Sequence, residues 1–245
     1  MKNIFSQISG MFHHGEVSAI ILCAGNSTRF SNGKESKQFA SVGGKPVIAR
    51  TIEAFEKCNQ IRDIVLVVKN DDAQEYNRLI CEFAFKKVSC IVIGGDTRQI
   101  SAMRGFKHIS EKSKYVAIHD GARCLVTPSI IDAVIDAAKL NNAATSASPI
   151  TDTIKIADEQ GNISRTVNRD LMWTVQTPQV FEKELYRVCI DNAIQKGIVT
   201  TDDCMLAEAY GQKVKLVNTG RENLKITVKS DIFLAEAIIK AREEK

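Results

Sequence analysis

From Val17 onward the chain alternates unbroken apolar runs with amphipathic stretches. The runs are SAIILCA from Ser18, DIVLVVK from Asp63, SCIVIGG from Ser89 and YVAIHDGA from Tyr115. Runs that stay apolar, rather than alternating residue by residue, predict strands covered on both faces, as in a parallel sheet. Between them, Pro46–Cys58, Asp72–Phe85, Arg98–Ile109 and Pro128–Leu140 carry apolar residues at helical spacing. Strands separated by helices imply βαβ units. After AATSASPI the rhythm breaks. ITDTIKIADEQGNISRTVNR, Ile150–Arg169, alternates in polarity on both sides of the turn signal DEQGN and predicts a hairpin too polar to be core. It is either a surface ornament or an arm that pairs with another subunit. Helices over Glu182–Lys196 and Asp202–Tyr210, a strand KVKLV and a last helix N-capped by Ser230 follow. The fold expected is α/β, a single domain with one doubly wound, mostly parallel sheet and a protruding hairpin at about residues 150–169.

Residues 1–16 precede this pattern. Ile4, Phe5, Ile8, Met11 and Phe12 fall at helical spacing, and Lys2 is the only lysine or arginine among them. That favours a short helix that packs on its own domain or frays over a membrane-surface or partner helix. The segment lacks the apolar core and cleavage site of a signal peptide. No apolar run is long enough to span a bilayer.

With 245 residues, 44% hydrophobic and 25% charged, the chain has the composition of an ordinary globular protein. A net charge of +4 without a basic tract interleaved with aromatics gives no argument for nucleic acid. The seven cysteines form no C-x-x-C pair and the four histidines make no metal-ligand spacing with them. Reduced, mostly buried thiols in the cytoplasm are expected.

In an open α/β sheet ligands sit beyond the carboxyl ends of the strands. CAGNSTRFSNGKESKQF follows the first strand, GGDTRQIS the third and HDGAR the fourth. QTPQ and NLKIT come later. These segments hold several cations, one prominent acid and small polar residues, a set suited to phosphates and a nucleoside. A dinucleotide G-x-G-x-x-G, a P-loop and a G-x-S-x-G elbow are all absent. Cations without a nucleophile fit transfer by positioning and charge neutralisation.

Taken in order and spacing, CAGNSTRF…SKQF, GGDTRQIS, HDGAR, DTIK, WTVQTPQVF, TDD and ENLKIT resemble the motifs of the 2-C-methyl-D-erythritol 4-phosphate cytidylyltransferases of the non-mevalonate isoprenoid pathway. The resemblance runs from about Val17 to the C-terminus. The ribitol-5-phosphate cytidylyltransferases share most of the set, so CDP-ribitol synthesis is the alternative. The resemblance implies a Rossmann-like nucleotidyltransferase fold and a reaction in which CTP and a polyol phosphate give a CDP-polyol and pyrophosphate. It implies that Arg29 and Lys37 stabilise the transition state, and that Ala24, Gly25, Gly95, Asp96, Ser101 and Asp120 bind CTP. Arg123, Thr153, Arg169, Thr177 and Lys225 are implied to bind the polyol phosphate. Mg²⁺ would be carried mainly on the triphosphate, with Asp120 the one carboxylate placed to help. The hairpin arms of a homodimer would intertwine, so that Thr153 and Arg169 reach the partner's site. Lys34 matches no motif and is assigned to solvent, His119 reads as a packed strand residue and Asp203 as a helix-start acid. Cys23, Phe30, Cys124 and Asn168 depart from the residues usual in the family.

Overall fold

The computed structural model describes residues 15–31 and 36–244; Lys34 and the apolar N-terminal stretch lie outside them. In chain order the elements are β1 (Val17–Leu22), a single turn α1 (Thr28–Ser31), the small ribbon β2 (Ser41–Val42) and β3 (Lys45–Pro46), α2 (Val47–Lys57), β4 (Ile61–Val68) and α3 (Ala73–Glu82). There follow β5 (Val88–Ile93), α4 (Arg98–Phe106), β6 (Tyr115–Asp120), α5 (Pro128–Asn141) and β7 (Ala143–Pro149). The remainder is β8 (Lys155–Ala157), β9 (Ile163–Thr166), β10 (Trp173–Glu182), α6 (Lys183–Lys196), α7 (Cys204–Tyr210), β11 (Lys215–Asn218) and α8 (Ser230–Glu243).

Seven strands form one sheet in the order β11-β7-β10-β6-β1-β4-β5. All pairings are parallel except those of β10, which runs antiparallel between β6 and β7. The apolar runs are explained by cover on both faces. Every residue of β1 is buried, and its side chains alternate between two cores. Val17, Ala19 and Ile21 join the cluster under α2, α3 and α5, with Phe55, Tyr76 and Ile135. Ile20 and Leu22 join the cluster under α4, α6 and α7, with Ala102, Tyr186 and Leu206. Burying each large apolar side chain contributes about 1.5–3 kcal/mol. A third cluster, Phe30, Val42, Val47, Ala122, Leu125, Ile226 and Ala235, docks α8 beside the strand ends. Five of the seven cysteines are buried and none is bridged.

The chain moves from β1 outward to β4 and β5, then returns to place β6 on the other side of β1. That reversal opens a crevice beyond the carboxyl ends of β1 and β6, where ligands of such sheets bind. Gly121 shows how closely the two strand ends approach: a Cβ there would run into the Cys23 Sγ.

One strand carries no apolar signal in the sequence, and one expected helix cap is corrected. Trp173–Glu182 is a ten-residue sheet strand, although Thr174, Gln176, Thr177, Pro178 and Gln179 hide any apolar pattern. Its register with β7 shifts between Val175 and Gln179, which takes Pro178 out of the ladder. Ser230 is the first helical residue of α8 and makes no cap. Asp231 instead ties the incoming chain to the first turn, its Oδ2 accepting from the Thr227 and Val228 amides at 2.6 and 2.9 Å.

The polar hairpin is present as β8 and β9, a ribbon paired with neither side of the main sheet and exposed throughout. Its turn is closed by Asp158, which accepts from the Asn162 amide at 2.8 Å, with Gly161 at a φ of +86° that disfavours a side chain.

Candidate active site

The crevice holds a cavity of about 210 Å³, walled by Ala24, Gly25, Lys37, Gly95, Asp96, Ser101, Asp120 and Lys225 together with Arg98. Three strand ends supply it. The segment after β1 brings Ala24 and Gly25, where a Cβ on Gly25 would meet no other atom of the described residues within 4 Å, which leaves its backbone open to a ligand on that side. The turn after β5 brings Gly95 and Asp96. It is held to α4 by Ser101, whose Oγ accepts from the Gly95 amide at 3.1 Å and donates to the Thr97 carbonyl at 2.9 Å. Thr97 caps α4, its hydroxyl accepting from the Ile100 amide.

Asp120, at the end of β6, is the electrostatic centre. Its Oδ2 takes the Lys225 Nζ at 2.7 Å and its Oδ1 faces the Arg98 Nε at 3.3 Å. The Arg123 Nε lies 3.9 Å from Oδ2. Burial by itself would raise the Asp120 carboxyl, but Arg98, Lys225 and Arg123 hold it well below the usual carboxylate range. The carboxylate is therefore charged at any working pH.

Lys37 reaches the cavity from the other wall, its Nζ donating to the Ile226 carbonyl at 2.8 Å. Burial and the neighbouring Lys225 charge lower its ammonium to about 8, with Arg29 adding to the effect and Asp120 opposing it. Arg29 sits on α1, exposed and outside the cavity wall.

Behind Asp120 is a buried polar layer. The Thr177 hydroxyl accepts from the Asp120 amide at 3.0 Å and bonds His119 Nδ1 at 3.0 Å. The other ring nitrogen, Nε2, lies 3.4 Å from the Arg123 carbonyl, which can only accept. Nε2 thus carries the proton and Nδ1 accepts from Thr177. Burial drives the His119 imidazolium down to about 3, and the ring packs against Phe55. His119 is a packed strand residue, as its sequence context predicts. Asn223, fully buried, donates to the Thr177 carbonyl at 2.8 Å, and its own carbonyl accepts from Arg123 Nη1 at 2.7 Å.

Of the residues singled out in the sequence, Ala24, Gly25, Lys37, Gly95, Asp96, Ser101, Asp120 and Lys225 meet at one cavity. Arg123 and Thr177 stand directly behind it through Asp120. Thr153 and Arg169 do not line it: both are exposed at the arm, where Arg169 Nη1 donates to the Thr151 carbonyl at 2.6 Å. Arg98 was not among the expected site residues, although it lies inside GGDTRQIS. Asp203 is corrected in part. It precedes α7, but its side chain caps nothing. It turns inward to Arg98 and Tyr186, while Asp202 accepts from the Met205 amide at 3.0 Å.

Among the described residues no group of three or more His, Cys, Asp or Glu could hold a metal. Asp120 offers the cavity a carboxylate whose two oxygens already face cations. Magnesium keeps several waters and binds through few protein carboxylates, so a single carboxylate is compatible with an ion held mainly by a ligand's own phosphates and not by a protein cage. No described helix is long and apolar enough to cross a membrane.

Comparison with known proteins agrees with this geometry. Residues 17–241 match the family model for 2-C-methyl-D-erythritol 4-phosphate cytidylyltransferase. The enzyme of that name from Caldanaerobacter subterraneus subsp. tengcongensis is 42% identical over 225 residues, covering 91% of this chain and 99% of the relative. The one from Desulforamulus reducens is 40% identical over 229 residues, covering 93% and 97%. The crystal structure of 4-diphosphocytidyl-2C-methyl-D-erythritol synthase from Anaerococcus prevotii superposes with a TM-score of 0.80 at 30% identity, covering 92% of this chain and 99% of that one. The chain therefore belongs to the 2-C-methyl-D-erythritol 4-phosphate cytidylyltransferase family.

Proposed function

We propose that the chain transfers the cytidylyl group of CTP to 2-C-methyl-D-erythritol 4-phosphate, releasing pyrophosphate. The observation that carries this reading is the cavity at the β1/β6 reversal. It sets Lys37 and Lys225 around Asp120, beside the open backbone of Ala24–Gly25 and the turn at Gly95–Asp96. The family matches favour this substrate over ribitol 5-phosphate.

The nucleophile is a phosphate oxygen of the polyol phosphate. It forms a bond to the α-phosphorus of CTP as the bond to the bridging oxygen breaks, and pyrophosphate leaves with the electron pair. Negative charge grows on the non-bridging and leaving oxygens, so the protein's task is to meet it with cations already in place. Lys37 and Arg29 are proposed for that role: a mobile point charge and a planar fork. Ala24 and Gly25 let the triphosphate approach the backbone. Gly95, Asp96 and Ser101 form the turn that reads the base, with cytosine's amino and carbonyl groups meeting backbone partners. Asp120 holds Lys225 and Arg123 toward the polyol phosphate, with Thr177 fixing its backbone.

Mg²⁺ is proposed to enter with CTP and to neutralise part of the triphosphate charge. The exposed ribbon of β8 and β9, bearing Ile156 and Ile163 on its surface, supports a homodimer in which the arm covers the partner's site with Thr153 and Arg169. Two strands alone are marginal in water, which favours an arm with a partner over an ornament. The buried, unbridged thiols support a reducing, cytoplasmic setting. Pyrophosphate release from CTP and purified methylerythritol phosphate, and none without the polyol phosphate, tests the reading.

A further inference from the structure

Four contacts close a ring around the end of β6. The Asp120 amide donates to the Thr177 hydroxyl at 3.0 Å, and the Thr177 carbonyl accepts from Asn223 Nδ2 at 2.8 Å. The Asn223 backbone carbonyl accepts from Arg123 Nη1 at 2.7 Å, and Arg123 Nε comes back to 3.9 Å from Asp120 Oδ2. Asn223 is fully buried, whereas the Arg123 side chain is 13% exposed. A second layer orients the Asn223 amide. Its Nδ2 also lies 3.1 Å from Gln176 Oε1, and Gln176 Nε2 donates to the Gly220 carbonyl at 3.0 Å. A carbonyl can only accept, so the Gly220 contact fixes Gln176, and Thr177 and Gln176 together fix which end of Asn223 donates.

Arg123 needs such a hold. Its Nε is buried without a hydrogen-bond partner, and Asp120 at 3.9 Å is too far to be one. Among the described residues, the bond to the Asn223 carbonyl is therefore the one hydrogen bond its guanidinium makes. Asn223 keeps its place although its own Oδ1 is buried with no partner among the described residues. An unmade buried acceptor is unfavourable, so packing alone does not account for an asparagine here. The rest of the segment Asn223–Ile226 is held by other bonds. The Ile226 amide donates to the Ala122 carbonyl at 2.8 Å, and Lys225 Nζ reaches Asp120 at 2.7 Å. Loss of the Asn223 side chain would thus free the carbonyl under Arg123 first and leave Lys225 and Ile226 tied.

We propose that Asn223 is a positioning residue for the polyol phosphate: its side-chain amide anchors the chain to β10, and its backbone carbonyl aims the Arg123 guanidinium at the substrate's phosphate. Asn223 itself touches no ligand, being fully enclosed. With Nη1 of Arg123 committed and Nε enclosed, Nη2 is left to a phosphate oxygen. The inference rests on the reading of Arg123 as a residue that binds the polyol phosphate.

Steady-state kinetics and calorimetric CTP binding on the full-length protein test it. Arg123→Ala is measured first and should raise the KM for the polyol phosphate; an unchanged KM would end the reading of Arg123 and this inference with it. Given that effect, Asn223→Ala should raise the same KM about tenfold or more. Its Kd for CTP should stay within about twofold of wild type. In the Arg123→Ala background, adding Asn223→Ala should change that KM by no more than about twofold, because Asn223 acts through Arg123. A residue that only stabilises the fold would lower the melting temperature without that dependence on Arg123. A folded Asn223→Ala with the wild-type KM, or a loss that multiplies in full with that of Arg123→Ala, would overturn the positioning role and leave the reading of Arg123 standing. Should Asn223→Ala not fold, Asn223→Ser decides. Its hydroxyl sits one atom closer to the backbone, out of reach of the Thr177 carbonyl, so an unchanged KM overturns the proposal and a rise of about tenfold supports it.

Discussion

Lys37 and Ile226 meet across 189 residues of sequence, the lysine Nζ donating to the Ile226 carbonyl at 2.8 Å. The contact seats Lys37 beside Lys225 with its head group turned into the cavity. Two like charges held together without a ligand are unfavourable, and an incoming polyphosphate relieves the repulsion. Lys37→Ala and Arg29→Ala should each lower turnover by about 10²–10³. Neither should unfold the chain, since Arg29 is exposed and Lys37 only half-buried. Steady-state kinetics alongside thermal melts check this, and near-wild-type turnover in both variants would remove the assigned roles.

The same crowding sets a pH dependence. With Lys37 lowered to about 8 in the free protein, kcat/KM for CTP should fall as pH rises through about 8, because the charged form is the one that meets phosphate. Lys37→Arg should remove that limb, whatever its absolute rate. His119 contributes no limb near neutrality, being held neutral down to about 3. For stability the sign is opposite. Between about 8 and the ordinary lysine value of 10.5, the unfolded chain keeps a proton that folded Lys37 has released. The contribution of Lys37 to stability therefore rises with pH across that window. Urea unfolding of wild type against Lys37→Ala, below and within the window, measures it.

Thr177 is 4% exposed and its hydroxyl serves both the Asp120 amide and His119 Nδ1. Thr177→Val keeps the shape and strands two buried polar groups. The expected cost is about 1–3 kcal/mol of unfolding free energy, read from urea midpoints. Activity should fall with it, because Asp120 loses the bond that fixes its backbone. An unchanged midpoint would contradict the hydrogen-bonded layer described behind the site.

If the arm of one subunit completes the site of the other, Arg169→Ala and Lys37→Ala chains should rescue each other. Each inactive alone, they would form heterodimers with one composite site carrying both residues. Partial recovery on mixing is the expected result. No recovery despite demonstrated subunit exchange would place Arg169 in its own subunit's chemistry.

What was legible in the sequence follows from which forces are local. Strands β1, β4 and β6 are buried over most of their length, so apolar runs dominate them and the pattern shows; β5 keeps the same kind of run although it lies at the sheet edge and is only half-buried. β10 is as central as β6, but its middle serves the site. Gln176 and Thr177 spend their polar groups on Ser146, Asn223 and His119, which erases the apolar signal. Lys37 and Lys225 were found because they sit in motifs with characteristic spacing. Arg98 lies inside one of those motifs, but its partner Asp203 comes 105 residues later, so their pairing is invisible to local pattern. The sequence signal for that pair is only two ionisable residues of opposite charge, one after a strand-to-helix turn and one in a helix-to-helix connection. Asp203 read as a helix starter because an acid before a helix usually is one, and here its neighbour Asp202 does the capping.

The measurement that tests the central claim most directly is pyrophosphate release by the purified chain with CTP and Mg²⁺, comparing 2-C-methyl-D-erythritol 4-phosphate with ribitol 5-phosphate at equal concentration. The account predicts rapid release with the first and little with the second, and a fall of about 10²–10³ with the first in Lys37→Ala. Preference for ribitol 5-phosphate, or CTP binding without any pyrophosphate release from either, would contradict it.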